Sequence, residues 1–214
     1  MPILALLGLR DPENGDWNRL RALQFSQINE TARLRVLVHA VCAIIAITTY
    51  IGKAPVALLA VFAICLATAL QFTLRTDRAL TVGERARISR DEINRKAIST
   101  GTVALAWCIP ALGFAFYGGD ADRAVVGFLI AILVLGSTLA LGVAPLVTVV
   151  FGAVTGIASL ATYLWFGQFG MAAAVGILAV VVIVGVTSVA RTHMAACLAE
   201  ANNAEKSEVV SLLL

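Results

Sequence analysis

From Ala124 to Ala190 the chain carries no Asp, Glu, Lys or Arg. A soluble domain draws roughly 25% of its residues from these four types, because its surface must be solvated. A stretch this long without charge has no water-facing side, so it must cross a bilayer several times. The apolar residues run continuously and do not alternate, which excludes a transmembrane β-barrel. The whole chain agrees, at 60% hydrophobic and 14% charged over 214 residues. The expected fold class is therefore all-α, a polytopic membrane protein.

Six spans are expected: Leu34–Ile51, Pro55–Leu74, Ala97–Tyr117, Ala124–Leu141, Pro145–Phe166 and Met171–Ala190. Each is long enough for the ~30 Å hydrocarbon core at ~1.5 Å per residue. Arg10, Arg19, Arg21, Arg33 and Arg35 cluster around the start of the first span, and residues 75–96 hold seven basic residues. The alternate connections, "GKA" (52–54), "GGDADR" (118–123) and "GQFG" (167–170), hold only Lys53 and Arg123. Excess Lys and Arg marks the cytoplasmic side. Both termini are thus expected in the cytoplasm. The 75–96 stretch reads as a loop that sets topology or, alternatively, as a basic surface for anionic lipid or a cytosolic partner.

Three segments follow from this: 1–33, 34–190 and 191–214. The first begins "MPILALLGLRDPENGDW", which lacks the basic start and small-residue cleavage site of a signal peptide. It continues as "WNRLRALQFSQINETARLR", with Asp16 as a candidate cap and Trp17, Leu20, Leu23 or Gln24, and Ile28 at helical spacing. This predicts an amphipathic helix that either lies at the cytoplasmic interface or packs on the bundle. Cys42, Cys65 and Cys108 fall one per span, and Cys197 lies beyond the last. With no C-x-x-C pair they read as small buried hydrophobes, not as a metal or dithiol site.

An ionisable group inside a bilayer points to function. Here that group is His39, about one turn into the first span, with His193 just past the sixth. A haem or metal bridging the two needs adjacent helices and further ligands; a neutral histidine bonded to a backbone carbonyl is the simpler reading. No cofactor and no catalytic residue is expected. Coupled transport usually needs a titratable group near the midplane, and the membrane serines and threonines have no partner to activate them.

Gly152 and Gly156 form a GxxxG step continued by Ser159, a surface on which helices approach closely within the bundle or between protomers. Pro110 is expected to kink the third span. "GGD" at 118–120 echoes part of the GGDEF signature, but Ala-Asp follows it in a six-residue connection, so it reads as a turn.

After Ala190, "RTHMAACLAEANNAEKSEVVSLLL" favours helix to the end of the chain. Ala195, Leu198, Asn202, Glu205, Val209 and Leu212 follow a 3-4-3-4-3 spacing. Leu198, Asn202, Val209 and Leu212 are the expected seam of a two-helix stalk, with Asn202 setting register and Glu205 interrupting the pattern. No helix-stop residue precedes Leu214, and the segment is expected to continue past it.

The stretch "AEKSEVVSLLL" (204–214) resembles the linker before PAS, GGDEF and EAL modules in membrane-bound cyclic di-GMP signalling proteins of alphaproteobacteria. The entry "GDWNRLRALQF" (15–25) is similar to the start of such proteins. Together they cover about an eighth of the chain. The resemblance implies the membrane input region of a larger protein whose output domain makes or breaks cyclic di-GMP or phosphorylates a regulator. None of those catalytic residues lies in this chain, so none is carried over.

The expected function is a sensory or anchoring input module of a homodimeric signalling protein in the bacterial inner membrane. Its expected partners are the lipid bilayer, a second copy and a downstream cytoplasmic output domain; nucleic acid is not among them. The external connections are too short for a ligand-binding domain, so any stimulus acts within the bilayer. The alternative is a small transporter or permease subunit for an uncharged solute, and a third reading is an integral-membrane enzyme relying on His39 and His193.

Overall fold

The computed structural model describes residues 31–81, 89–141 and 144–213. The expected amphipathic helix, with Asp16, Trp17, Leu20, Leu23, Gln24 and Ile28, lies outside the described residues. Within them the chain is all helical, with no strand. The helices are α1 (Ala32–Tyr50), α2 (Val56–Thr81), α3 (Arg90–Cys108), α4 (Asp120–Leu141), α5 (Pro145–Trp165) and α6 (Phe169–Leu213). All six have the length and apolar character to cross a membrane. This is the fold of a multi-pass membrane protein.

Two ends can be distinguished. The turn end holds the three short connections, α1–α2, α3–α4 and α5–α6. Gly52 (φ +77) and Gly167 (φ +69) reverse the chain there in the left-handed region that glycine enters without a Cβ penalty. The opposite, basic end holds the starts of α1, α3 and α5.

At the basic end the helices reach further than the hydropathy predicts. The second continues past Leu74 to Thr81, and the third starts at Arg90 instead of Ala97. The cause is local. Ser89 accepts the Glu92 amide on its hydroxyl (3.4 Å), while the Glu92 carboxylate accepts the Ser89 amide (2.8 Å). This reciprocal capping box satisfies free amides at the helix start and nucleates α3 in polar sequence. Most of the expected 75–96 loop is therefore helix.

Pro110 reshapes the third span. Proline lacks an amide proton, and Ile109–Gly113 forms a π-helical turn followed by a 3-10 turn over Phe114–Phe116. A carbonyl in the widened turn finds a partner on α5: the Thr162 hydroxyl donates to Ala111 O (2.7 Å) and to its own Ala158 O (3.0 Å).

The centre of the bundle is α3 with α5. The α3 helix packs on α2 and α5, α5 on α3, α4 and α6, and α1 on α4 and α2. Buried residues make up 56% of the third span but only 17% of the sixth, so α6 runs along the periphery. Rings from three helices fill the α1–α2–α3 core. Tyr50 meets Phe114 (5.1 Å), Phe114 meets Phe62 (5.6 Å), and Phe62 meets Trp107 (5.4 Å). The last two pairs are edge-on, the arrangement favoured by the ring quadrupoles.

Candidate functional site

Three places in the bundle carry chemistry. The first is a polar cluster at the basic end. Asp77 sits on the extension of α2, Lys96 about two turns into α3, and Arg35 in the first turn of α1. The Arg35 guanidinium donates to Asp77 Oδ2 (2.8 Å), and the Lys96 ammonium pairs with Asp77 Oδ1. Asp77 is 2% exposed and Lys96 fully buried. One carboxylate thus joins three helices. Thr73 adds a bond from α2 to the Ser99 carbonyl of α3 (3.1 Å).

His39 shares the helical bundle with three charged side chains, Arg35, Asp77 and Lys96. Asp77 and Lys96 lie in helical extensions that hydropathy alone assigns to the loop, and Arg35 lies in the first turn of the first span. The S-x-x-E pattern at 89–92 was the available signal, because a helix begun at Arg90 carries Lys96 onto its buried face. Charged side chains therefore do lie within the helical bundle, so their absence is no ground against coupled transport. All three groups sit toward one end of their helices, whereas coupling groups are usually found near the midplane of a span.

His39 lies deeper. Its Nδ1 accepts the Trp107 indole N–H (3.0 Å), and its ring meets Phe151 edge-on at 5.7 Å. The expected backbone-carbonyl partner is replaced by an indole. A nitrogen that accepts this bond carries no proton, which fixes the tautomer and occupies that lone pair. His193 lies on α6, with its side chain outside the described ones. Among the described residues no three His, Cys, Asp or Glu side chains group as a metal site.

The second place is an apolar cleft of about 250 Å³ between α4, α5 and α6. Phe128 and Val134 line it from α4, Gly152, Gly156 and Ser159 from α5, and Leu178 from α6. The GxxxG step therefore faces α4 and α6 within the bundle. A Cβ on Gly152 would meet Val134 and Val182 at ordinary contact distance, whereas one on Gly156 would meet nothing within 4 Å. Ser159 is 4% exposed, and its hydroxyl has no hydrogen-bond partner. The seam residues Leu198, Asn202, Val209 and Leu212 lie on α6 beyond the span, with side chains outside the described ones.

The turn end holds a third, more exposed set. The "GGD" turn is tied down by Asp122, which accepts from Gly119 N (3.0 Å) and Lys53 Nζ (2.7 Å). Arg123 pairs with Asp120 (2.6 Å), donates to Ala115 O (3.0 Å) and lies 3.7 Å over the Phe166 ring. These contacts close the turns. No protein-family model, curated protein or solved structure matches this chain.

Proposed function

We propose that this chain is the membrane-integral input module of a bacterial signalling protein, sensing or anchoring at the inner membrane with both termini cytoplasmic. It passes its state through α6 to a C-terminal output domain, with cyclic di-GMP turnover as the chemistry suggested by the sequence resemblance. One observation carries this reading: α6 is a single helix of 45 residues. That is roughly 67 Å at 1.5 Å per residue, about twice the ~30 Å hydrocarbon core. Its span section forms one wall of the cleft, and the helix continues past the span without a break. A helix continuous across that boundary transmits rotation or sliding, the usual moves of two-state membrane relays.

The working form is a homodimer paired along the distal part of α6. Single cysteines at Leu198, Val209 and Leu212, in a chain cleared of its native cysteines, should give disulfide-linked dimers in oxidised membranes. Cysteines at Glu200 and Ser207, on the opposite face, should not. Absence of dimers at all three seam positions would sink the relay.

The alternative, a permease for an uncharged solute, draws support from the same cleft. Solute uptake into proteoliposomes, absent in protein-free vesicles, would favour it.

A further inference from the structure

We infer that the cleft between α4, α5 and α6 is a binding site for a small, uncharged, mostly apolar molecule bearing one hydrogen-bond acceptor, and that the Ser159 hydroxyl donates to that acceptor. This deepens the sensory reading and rests on it for its meaning, since it supplies the stimulus; the binding itself needs neither a dimer nor an output domain.

Four observations converge. First, the space is real on the scale of small molecules. A dry cavity of about 150 Å³ holds benzene, so about 250 Å³ has room for roughly ten heavy atoms. Second, the lining holds no charged side chain, which excludes an ionic ligand. Third, the Ser159 hydroxyl is buried at the cleft without a partner. A membrane-helix serine ordinarily bonds to a carbonyl one turn back, as Thr155 does to Phe151 O (2.8 Å). Ser159 makes no such bond and keeps its proton for another group. Fourth, Phe128 and Ile183 on the rim are 67% and 53% exposed, so the cleft meets the lipid-facing surface and a membrane-dissolved molecule enters sideways.

The occupant is a discrete ligand, not a bulk acyl chain. A hydrocarbon tail would fill the volume but leave the hydroxyl unpaired, which is unfavourable for a buried polar group. A ketone or ester of about ten heavy atoms meets both demands.

The test is photolabelling of the full chain in proteoliposomes with a ten-carbon methyl ketone bearing a diazirine, the adducts being mapped by mass spectrometry. The expected result is labelling at Ala131 and Leu178 at least fivefold above the outward-facing Val180 and Val184. Two variants separate binding from folding. In Gly156→Leu the side chain grows into open space, so the fold should survive while cleft labelling falls to the level of Val180. Ser159→Ala removes an atom without a partner and should cut ketone labelling at least threefold. It should leave labelling by the matching diazirine alkane unchanged. Constant labelling of Val180 and Val184 reports that each variant is folded and inserted.

Equal labelling of cleft and outer face, or indifference to Gly156→Leu, would overturn the site. Equal cleft labelling by the alkane, or by a phospholipid carrying the diazirine in its tail, would overturn the ligand class and assign the cleft to lipid. Intact labelling without α6 cross-links removes the relay and leaves the site; cross-links without labelling do the reverse.

Discussion

The basic end and the turn end of the bundle both hold acidic and basic side chains, but in opposite environments. At the basic end Asp77 is 2% exposed and binds Arg35 and Lys96 from two other helices. At the turn end Lys53 is 45% exposed opposite Asp122, and Asp120 is 80% exposed opposite Arg123. In water an ion pair gains little, because each charge is already solvated and salt screens the rest. In the packed interior the charges have lost that solvation and depend on one another. The same residue types therefore lock three helices at one end and merely tidy a turn at the other.

The largest effect should come from Asp77→Ala, which takes the carboxylate away from the fully buried Lys96 and the part-buried Arg35. A loss of about 3–5 kcal/mol is expected in mixed-micelle unfolding followed by far-UV circular dichroism. Replacing all three partners together, as Arg35→Leu, Asp77→Leu and Lys96→Met, should restore stability to within ~1 kcal/mol of the parent, since the Asp77 pairs are then removed together and not by halves. A loss below ~1 kcal/mol for Asp77→Ala would erase the contrast between the ends.

Next comes Gly127→Ala on α4. The Tyr163 hydroxyl, which donates to Arg123 O (3.1 Å), occupies the position a Cβ would need. A cost of about 1–3 kcal/mol is expected, with partial recovery on adding Tyr163→Phe. This sharpens the comparison, because near the turn end packing should matter more than charge. Between the ends, Trp107→Phe should cost about 1–2 kcal/mol by leaving His39 without its donor. The smallest effect is expected for Asp122→Asn, at most ~1 kcal/mol and shrinking further in added salt. A salt-insensitive loss above that would mean that the turn end is as dry as the basic end.

Much of this fold can be read before any coordinates. Six apolar stretches of membrane length correspond to six helices, and their ends mostly agree to a few residues. The exception is instructive. Hydropathy stops counting at the first charge, so the second and third spans were cut at Leu74 and Ala97, just short of Asp77 and Lys96. Helix formation does not stop there. Backbone hydrogen bonding continues through polar residues when a cap starts the helix, and Ser89 with Glu92 provides one. Pro110 was visible as an irregularity, but its π turn and the Thr162 bond to Ala111 needed the neighbouring helix.

The cleft shows a deeper limit. Gly152, Gly156 and Ser159 share a helix face by spacing alone, and spacing suggests close contact. Whether small side chains become a contact or a space depends on where the next backbone lies. In this bundle α6 stands far enough away to leave Gly156 facing a void.

By itself the sequence determined the number of spans, the antiparallel order enforced by short connections, and the helical continuation beyond the sixth span. Each follows from local composition, period or chain length. Only the tertiary structure decided that Asp77 meets Arg35 and Lys96, that Trp107 bonds His39, and that Ser159 is buried without a partner. Those pairings join residues distant in the chain, and their energies depend on how much water the surrounding helices exclude. That exclusion is set when the helices pack, not by any segment alone.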